Sequence, residues 1–212
     1  MDKERIRRLL REATAAIELV VAPTQLEQMA THFALLLKWN ARINLTSIRT
    51  ADEIATRHFG ESLFLAGLVS QPGQLMVDIG SGAGFPGLPL KIVWPKVETL
   101  LVEANQKKAT FLKEVIRACE LQGIEVRAER LEDLVKQKTM EGRASLITMR
   151  AVAPTSITLS AAASLLSTNG QIALFSSREV ADNLAVSETF EWQSRTTIPQ
   201  SLNRVILLGR KV

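Results

Sequence analysis

The stretch LMVDIGSGAGFPGLPLKIVWP, Leu75 to Pro95, sets four glycines and three prolines among residues that otherwise read as a strand and a helix. Two parses compete. Gly80-Ser81-Gly82-Ala83-Gly84 is a GxGxG that begins where the strand Leu75–Ile79 stops. Gly82-Ala83-Gly84-Phe85-Pro86-Gly87 is a GxGxxG, the pattern of a dinucleotide site. The second parse starts two residues late and puts Pro86 inside the turn. Proline is better suited to the first helical position, where its missing N–H costs nothing. The second parse also leaves Asp78 at the strand end, where its charge would repel a pyrophosphate. The first parse is preferred: a loop that binds adenosylmethionine through Asp78, Gly80, Gly82 and Gly84.

Outward from this loop the chain alternates. Strands read at Leu75–Ile79, Thr99–Glu103, Ile124–Ala128, Leu146–Met149 and Ile172–Phe175. Helices read at Gly87–Val93, Lys107–Leu121 and Thr155–Leu166. That rhythm predicts an α/β fold with a doubly wound parallel sheet, Rossmann-like. Glu191–Ile198 and Arg204–Leu208 have no helix between them and predict an antiparallel hairpin at the sheet edge. Before Gln71-Pro72-Gly73 the pattern is helical. Ile6, Leu9, Leu10, Ala13, Ile17 and Val20 form one stripe, and Leu26, Met29, Ala30, Phe33 and Leu37 a second. Capping boxes read at Thr24–Glu27 and Thr50–Glu53, the latter opening a helix to about Val69. Two regions follow: a helical extension, 1–71, packed on a catalytic domain, 72–212.

Composition excludes several classes. No apolar run approaches the roughly 18 residues of a membrane span, and the charged start, MDKERIRRLLREA, is no signal peptide. One Cys and two His leave no disulfide and no metal site. A cytoplasmic protein, monomeric and free of membrane and metal, is expected. The net charge of +4 permits a polyanionic partner without requiring one.

The second strand ends at Glu103, nineteen residues after Gly84. A carboxylate there is placed to accept both hydroxyls of an adenosine ribose, in NAD and adenosylmethionine sites alike. Leu131-Glu132-Asp133 follows the third strand, where an adenine would be lined; the pattern fits a plain helix start equally well.

These residues resemble the RsmG (GidB) family, bacterial methyltransferases that modify guanine N7 in small-subunit ribosomal RNA. The resemblance lies in KWNARINLTSIR (Lys38–Arg49), RHFGES (Arg57–Ser62), VDIGSGAGFPGLPLKI (Val77–Ile92), LVEANQKKATFL (Leu101–Leu112), RLED (Arg130–Asp133) and MRAVA (Met149–Ala153). It implies a class I adenosylmethionine-dependent fold, with Gly80 and Phe85 at the cofactor, Glu103 at its ribose, and Leu131 and Glu132 beside its adenine. It places Arg150 at the methyl-transfer site, as the catalytic candidate, and makes 16S rRNA of the small subunit the partner. The chain departs from the family after the fifth strand, with Phe175-Ser176-Ser177-Arg178 where a Lys-Gly is usual. The departure removes the usual basic contact at that edge unless Arg178 supplies it.

Methyl transfer is an in-line displacement at a sulfonium carbon. Exocyclic amines and C5 carbons need an Asp/Asn-Pro-Pro-aromatic motif or a Cys nucleophile. Met149-Arg150-Ala151-Val152 stands in the motif's place, and Cys119 lies on the core stripe Leu112, Val115, Ile116. Guanine N7 has an in-plane lone pair and no proton, so alignment suffices. A dinucleotide oxidoreductase remains a second reading, although the chain has no Tyr. A non-catalytic ribosome-assembly binder is a third.

RNA would meet a folded face. N7 lies in the deep major groove of RNA helices, so the target guanine must sit in a loop or be flipped out. Candidate RNA contacts are Lys107, Lys108, Arg8, Arg11 and His58. Each has a bland alternative: a solvated helix face for the cations, a packed ring for His58. His32 reads as a surface residue, and Trp39 and Phe33 as core.

Overall fold

The computed structural model of the chain describes residues 1–70, 72–184 and 188–212. Gln71, the expected boundary between the two regions, lies outside the described residues. Seven strands form one sheet in the order β3-β2-β1-β4-β5-β7-β6. They are β1 (Leu75–Ile79), β2 (Glu98–Val102), β3 (Ile124–Arg127), β4 (Ala144–Arg150), β5 (Leu166–Ser177), β6 (Phe190–Thr197) and β7 (Arg204–Lys211). The first five are parallel; β7 runs antiparallel between β5 and β6. The predicted hairpin is there, with its second strand joined to the sheet and its first at the edge.

Both faces of the sheet are covered, which is why β1 reads as a nearly unbroken apolar run. Val77 and Ile79 join Leu100, Val102, Ile147 and Met149 in one core, closed by α7 (Leu131–Lys136) and α8 (Ser156–Leu165). On the opposite side Leu101 packs with Leu88 of α5 (Gly87–Val93) and with Phe111, Leu112 and Val115 of α6 (Gln106–Ala118). That core continues into α1 (Lys3–Ala15) and α2 (Pro23–Asn40) through Ile6, Leu10, Met29 and Phe33. The helical extension therefore shares a core with the α5–α6 face.

Several boundaries differ from the sequence pattern. The cap of α2 is Ala22, with Pro23 at the first position; the Ala22 N–H donates to Gln25 Oε1 at 2.8 Å, not to a side chain of Thr24. Proline fits that first turn without loss of a bond. The helix runs on through Trp39 and Asn40, and Asn40 Oδ1 accepts from the Leu45 and Thr46 N–H groups, folding the following loop. Thr50 does cap the next helical segment, accepting from the Glu53 N–H. That segment is interrupted: α3 (Ala51–Glu53) passes into a π-helix, Ile54–Gly60, before α4 (Glu61–Leu68). Strand β5 starts six residues early, because Ser167–Gly170, turn-like in composition, is absorbed into a strand whose register with β4 shifts between Ala144 and Leu146. Pro86 is the cap of α5, one residue before its first helical position.

Candidate active site

The glycine loop leaves β1 and turns under its own backbone bonds. The Gly80 and Ser81 N–H groups donate to the Val102 carbonyl, and Gly84 and Phe85 to that of Ser81. Gly80, Gly82 and Gly84 have φ of 70°, 56° and 90°, the left-handed region that glycine enters without a Cβ penalty. A Cβ at Gly80 would stand 2.4 Å from Val152, and one at Gly84 2.3 Å from Leu88. At Gly82 only the Gly80 carbonyl, 3.8 Å away, comes near. Two glycines are packed against; Gly82 faces open space.

Asp78 is fully buried below the loop. Its carboxylate accepts from Thr148 Oγ1 at 2.7 Å and from the Gly87 N–H at 3.2 Å, tying β1, β4 and α5 together. Burial pushes its carboxyl up to about 6, against those hydrogen bonds. It does not line the cleft; its work is to hold the turn from beneath.

The cleft measures about 510 Å³, within the range of small-molecule sites. Its lining comes from Gly80–Ala83, Phe85 and Glu103, from Arg150–Val152 at the end of β4, from Leu45–Ile48, and from Arg57, His58 and Lys108. Glu103, just past β2, is buried, and each carboxylate oxygen accepts one backbone N–H: Gly82 to Oε2 and Asn105 to Oε1, both at 2.8 Å. An ionised carboxylate has about four acceptor positions, so two remain for a diol. The open face at Gly82 and this half-used carboxylate fit adenosylmethionine: backbone against which a ligand can lie, beside acceptors for ribose hydroxyls.

A stack of rings joins the π-helix and α2 to the glycine loop. His58, on the π-helix, lies on Phe85 at 4.5 Å with 8° between planes, and His32 of α2 stacks on Phe85 at 4.8 Å. His58 Nε2 pairs with Thr46 Oγ1 at 2.8 Å; His32 Nε2 is 2.9 Å from the Ala83 carbonyl and so carries the proton. His32 is therefore core, not surface: α2 buries a wider stripe than expected, taking in His32 and Leu36. Burial holds His32 down to about 4. Burial and then the Arg150 charge hold His58 down to about 3. Both rings are neutral at pH 7.

Arg150 ends β4, and its guanidinium turns to the π-helix and Glu61. It donates to the Arg57 carbonyl at 2.7 Å and Glu61 Oε2 at 3.1 Å, and lies over the Phe175 ring. Glu61 is buried and also holds Arg204 at 2.6 Å. The π-helix is thus clamped to the ends of β4 and β7 by two arginines on one carboxylate. Sequence reasoning missed Glu61, Arg204 and Thr46–Ile48 of the loop, although Glu61 and Thr46–Ile48 lie in stretches that carry the family resemblance; Arg204 lies outside them.

The remaining expected residues fall elsewhere. Leu131 is buried against Leu134 on the far core, and Glu132 is exposed; neither lines the cleft. Gly84 lies behind the loop. Arg178 donates to Thr197 and does not reach the cleft; at that edge Arg204 does the anchoring. Lys108 and His58 line the cleft and Lys107 is its exposed neighbour, whereas Arg8 and Arg11 sit on α1, near Glu12 and Glu4. Cys119 is buried, its thiol pushed up to about 11 by burial, as a core residue should be. Among the described residues no group of three His, Cys, Asp or Glu could hold a metal, and no helix is long and apolar enough to cross a membrane.

Comparison with known proteins agrees with this geometry. A family model described as rRNA small subunit methyltransferase G (GidB) matches residues 25–207. The protein named ribosomal RNA small subunit methyltransferase G of Chloroflexus aggregans is 37% identical over 181 residues, 85% of this chain and 76% of that one. Its namesake from Dictyoglomus thermophilum is 34% identical over 193 residues, 91% and 77% of the two chains. Among solved structures, M. jannaschii TYW2 in complex with AdoMet superposes with a TM-score of 0.59 at 16% identity, covering 81% of this chain and 80% of that one. A mutant of MtNAS in complex with S-adenosylmethionine gives 0.57, also at 16% identity, covering 96% and 72%. The structural likenesses establish the fold, that of class I adenosylmethionine-dependent methyltransferases, and the matched sequence establishes the kinship: this chain belongs to the rRNA small subunit methyltransferase G (GidB) family.

Proposed function

We propose that this chain transfers a methyl group from adenosylmethionine to N7 of a guanine in the 16S rRNA of the small ribosomal subunit. The observation that carries the choice of atom is the absence of a general base among the residues lining the cleft. Glu103 is held by two backbone N–H groups at the cofactor wall, and His58 is neutral, paired with Thr46 and far too weak a base. Exocyclic amines and hydroxyls must lose a proton; N7 need not. Bound adenosylmethionine supplies an electrophilic methyl on a positively charged sulfur. The N7 lone pair forms the new C–N bond as the C–S bond breaks, and its electron pair stays on sulfur.

What the protein supplies is alignment, which is enough for large accelerations. Glu103 takes the ribose hydroxyls, and the Gly80–Gly82 backbone lets the ligand lie close. Arg150 holds the π-helix in place, and with it His58 and its partner Thr46, which line the cleft beside the glycine loop. In this reading residues 1–71 form the acceptor side of a cytoplasmic, monomeric enzyme and residues 72–212 the cofactor side. Digestion of RNA labelled by the enzyme to nucleosides tests the assignment: 7-methylguanosine as the labelled product supports it, and label on an amine, a C5 carbon or a ribose overturns it.

A further inference from the structure

Two groups of positive charge, one on α1 and one next in sequence to the segments that line the cleft, differ in their pairing. On α1, Arg5 lies 3.8 Å from Asp52, and Arg7 bridges Glu4 and Glu27 at 3.0 and 2.6 Å. Arg8 lies 3.7 Å from Glu12, and Arg11 3.4 Å from Glu4. These arginines are locally neutralised. Lys38, Arg42, Arg49 and Lys107 are all exposed. Among the described residues none of the four has a carboxylate partner; Arg49 donates only to the neutral Asn44.

Other exposed cations without a carboxylate partner, such as Lys96, Lys113 and Arg210, lie elsewhere; Lys38, Arg42, Arg49 and Lys107 flank, along the chain, the segments that line the cleft. Lys38 and Arg42 stand where α2 gives way to the loop that Asn40 folds, and Arg49 stands where that loop ends. Between them, Leu45–Ile48 line the cleft. Lys107 is on the first turn of α6, beside the cleft-lining Lys108, on the other lip. The loop's hydrogen bonds hold the first lip in place before any ligand arrives, which lowers the cost of binding. Among the described residues the exposed large apolar ones are Met1, Val20, Ile157, Leu202 and Val212, none of them aromatic. A surface with cations and no stacking platform suits phosphates, and a concave site between two charged lips suits a strand, not a flat bilayer.

We infer that RNA docks across these two lips, its phosphates held by Lys38, Arg42 and Arg49 on one side and Lys107 on the other, and not on the α1 arginines. This rests on the RNA-methyltransferase reading and adds where the backbone lies. Each phosphate contact contributes about 0.7–0.9 to the slope of log K against log salt. The Arg42→Gln/Arg49→Gln/Lys107→Gln variant should flatten the slope for a 16S rRNA transcript by about 2 units. The Arg8→Gln/Arg11→Gln variant should leave it as in the parent. Adenosylmethionine affinity should stay unchanged in both, and Arg42→Lys/Arg49→Lys, which keeps the charge, should keep the slope. A triple variant that methylates RNA and retains the parental slope overturns the docking surface alone, as does a flattened slope in the α1 variant or tight binding of the parent to anionic vesicles. A parent chain that neither binds nor methylates the transcript or the assembled subunit overturns the RNA reading itself.

Discussion

Arg150 and Glu61 meet at 3.1 Å where the end of β4 faces the first residue of α4, and the same carboxylate holds Arg204 at 2.6 Å. One buried anion thus joins the sheet to the π-helix that forms a wall of the cleft. Removing one member of a buried ion pair typically costs about 3–5 kcal/mol, because the other charge stays behind unpaired. Glu61→Gln strands two guanidiniums, whereas Arg150→Gln leaves Glu61 still paired with Arg204. The first variant should therefore lose the larger share of stability in urea unfolding. Equal losses would deny Glu61 its place at the hub.

Arg150→Ala should lower the rate of methyl transfer more than adenosylmethionine affinity. Its guanidinium positions Arg57 and the π-helix, on the acceptor side, and makes no contact with the glycine loop's carboxylate partner Glu103. Parallel measurement of kcat and cofactor Kd decides this; equal falls would assign Arg150 to the cofactor instead.

Glu103→Ala should remove charge-assisted hydrogen bonds to the ribose worth roughly 2–3 kcal/mol in total, on the order of 30–150-fold in Kd. Gly82→Ala probes the neighbouring backbone. Nothing crowds the new Cβ, so the fold loses only about 1–2 kcal/mol for a left-handed residue. The methyl stands where a ligand must lie, so titration calorimetry should show a large loss of adenosylmethionine affinity. Parental affinity in either variant, with the fold intact, removes that residue from the site.

Stability should fall on acidification. The folded pKa values of His32 and His58, about 4 and about 3, lie below the ordinary value near 6.5. The unfolded chain therefore binds more protons than the native one below that pH, and stability present above it drains away as pH drops. Asp78, raised to about 6, acts oppositely, gaining stability as pH falls from 6 toward 4. Glu61, also pushed up by burial, acts with Asp78, so the two rings should leave a net loss between pH 7 and pH 5 that is smaller than their own sum. Urea midpoints at the two pH values measure it, and an unchanged midpoint contradicts the buried neutral rings.

What was legible in the sequence is what lies close along the chain. The turn at Gly80–Gly84, the acid one residue past β2 and the edge hairpin follow from local backbone demands and alternation. The hub of Glu61, Arg150 and Arg204 joins residues 89 and 143 apart by number, and no local pattern announces such a pairing. His32 reads as a surface polar residue because its partner, the Ala83 carbonyl, is 51 positions away. The π-helix escapes because its residues carry the same apolar stripe an α-helix would. Leu131 and Glu132 show another limit: the pattern locates the end of β3, but no local signal announces that the helix after it turns the Leu131 side chain into the core and Glu132 to solvent.

The most direct test is to map the modified position. Small-subunit RNA treated with the enzyme and adenosylmethionine is reduced, cleaved with aniline at N7-methylated guanines and read by primer extension. The predicted result is one enzyme-dependent stop, at an unpaired or flipped-out guanine, lost in Glu103→Ala and weakened in Arg150→Ala. Methyl label retained in the RNA without any such stop would contradict transfer to guanine N7.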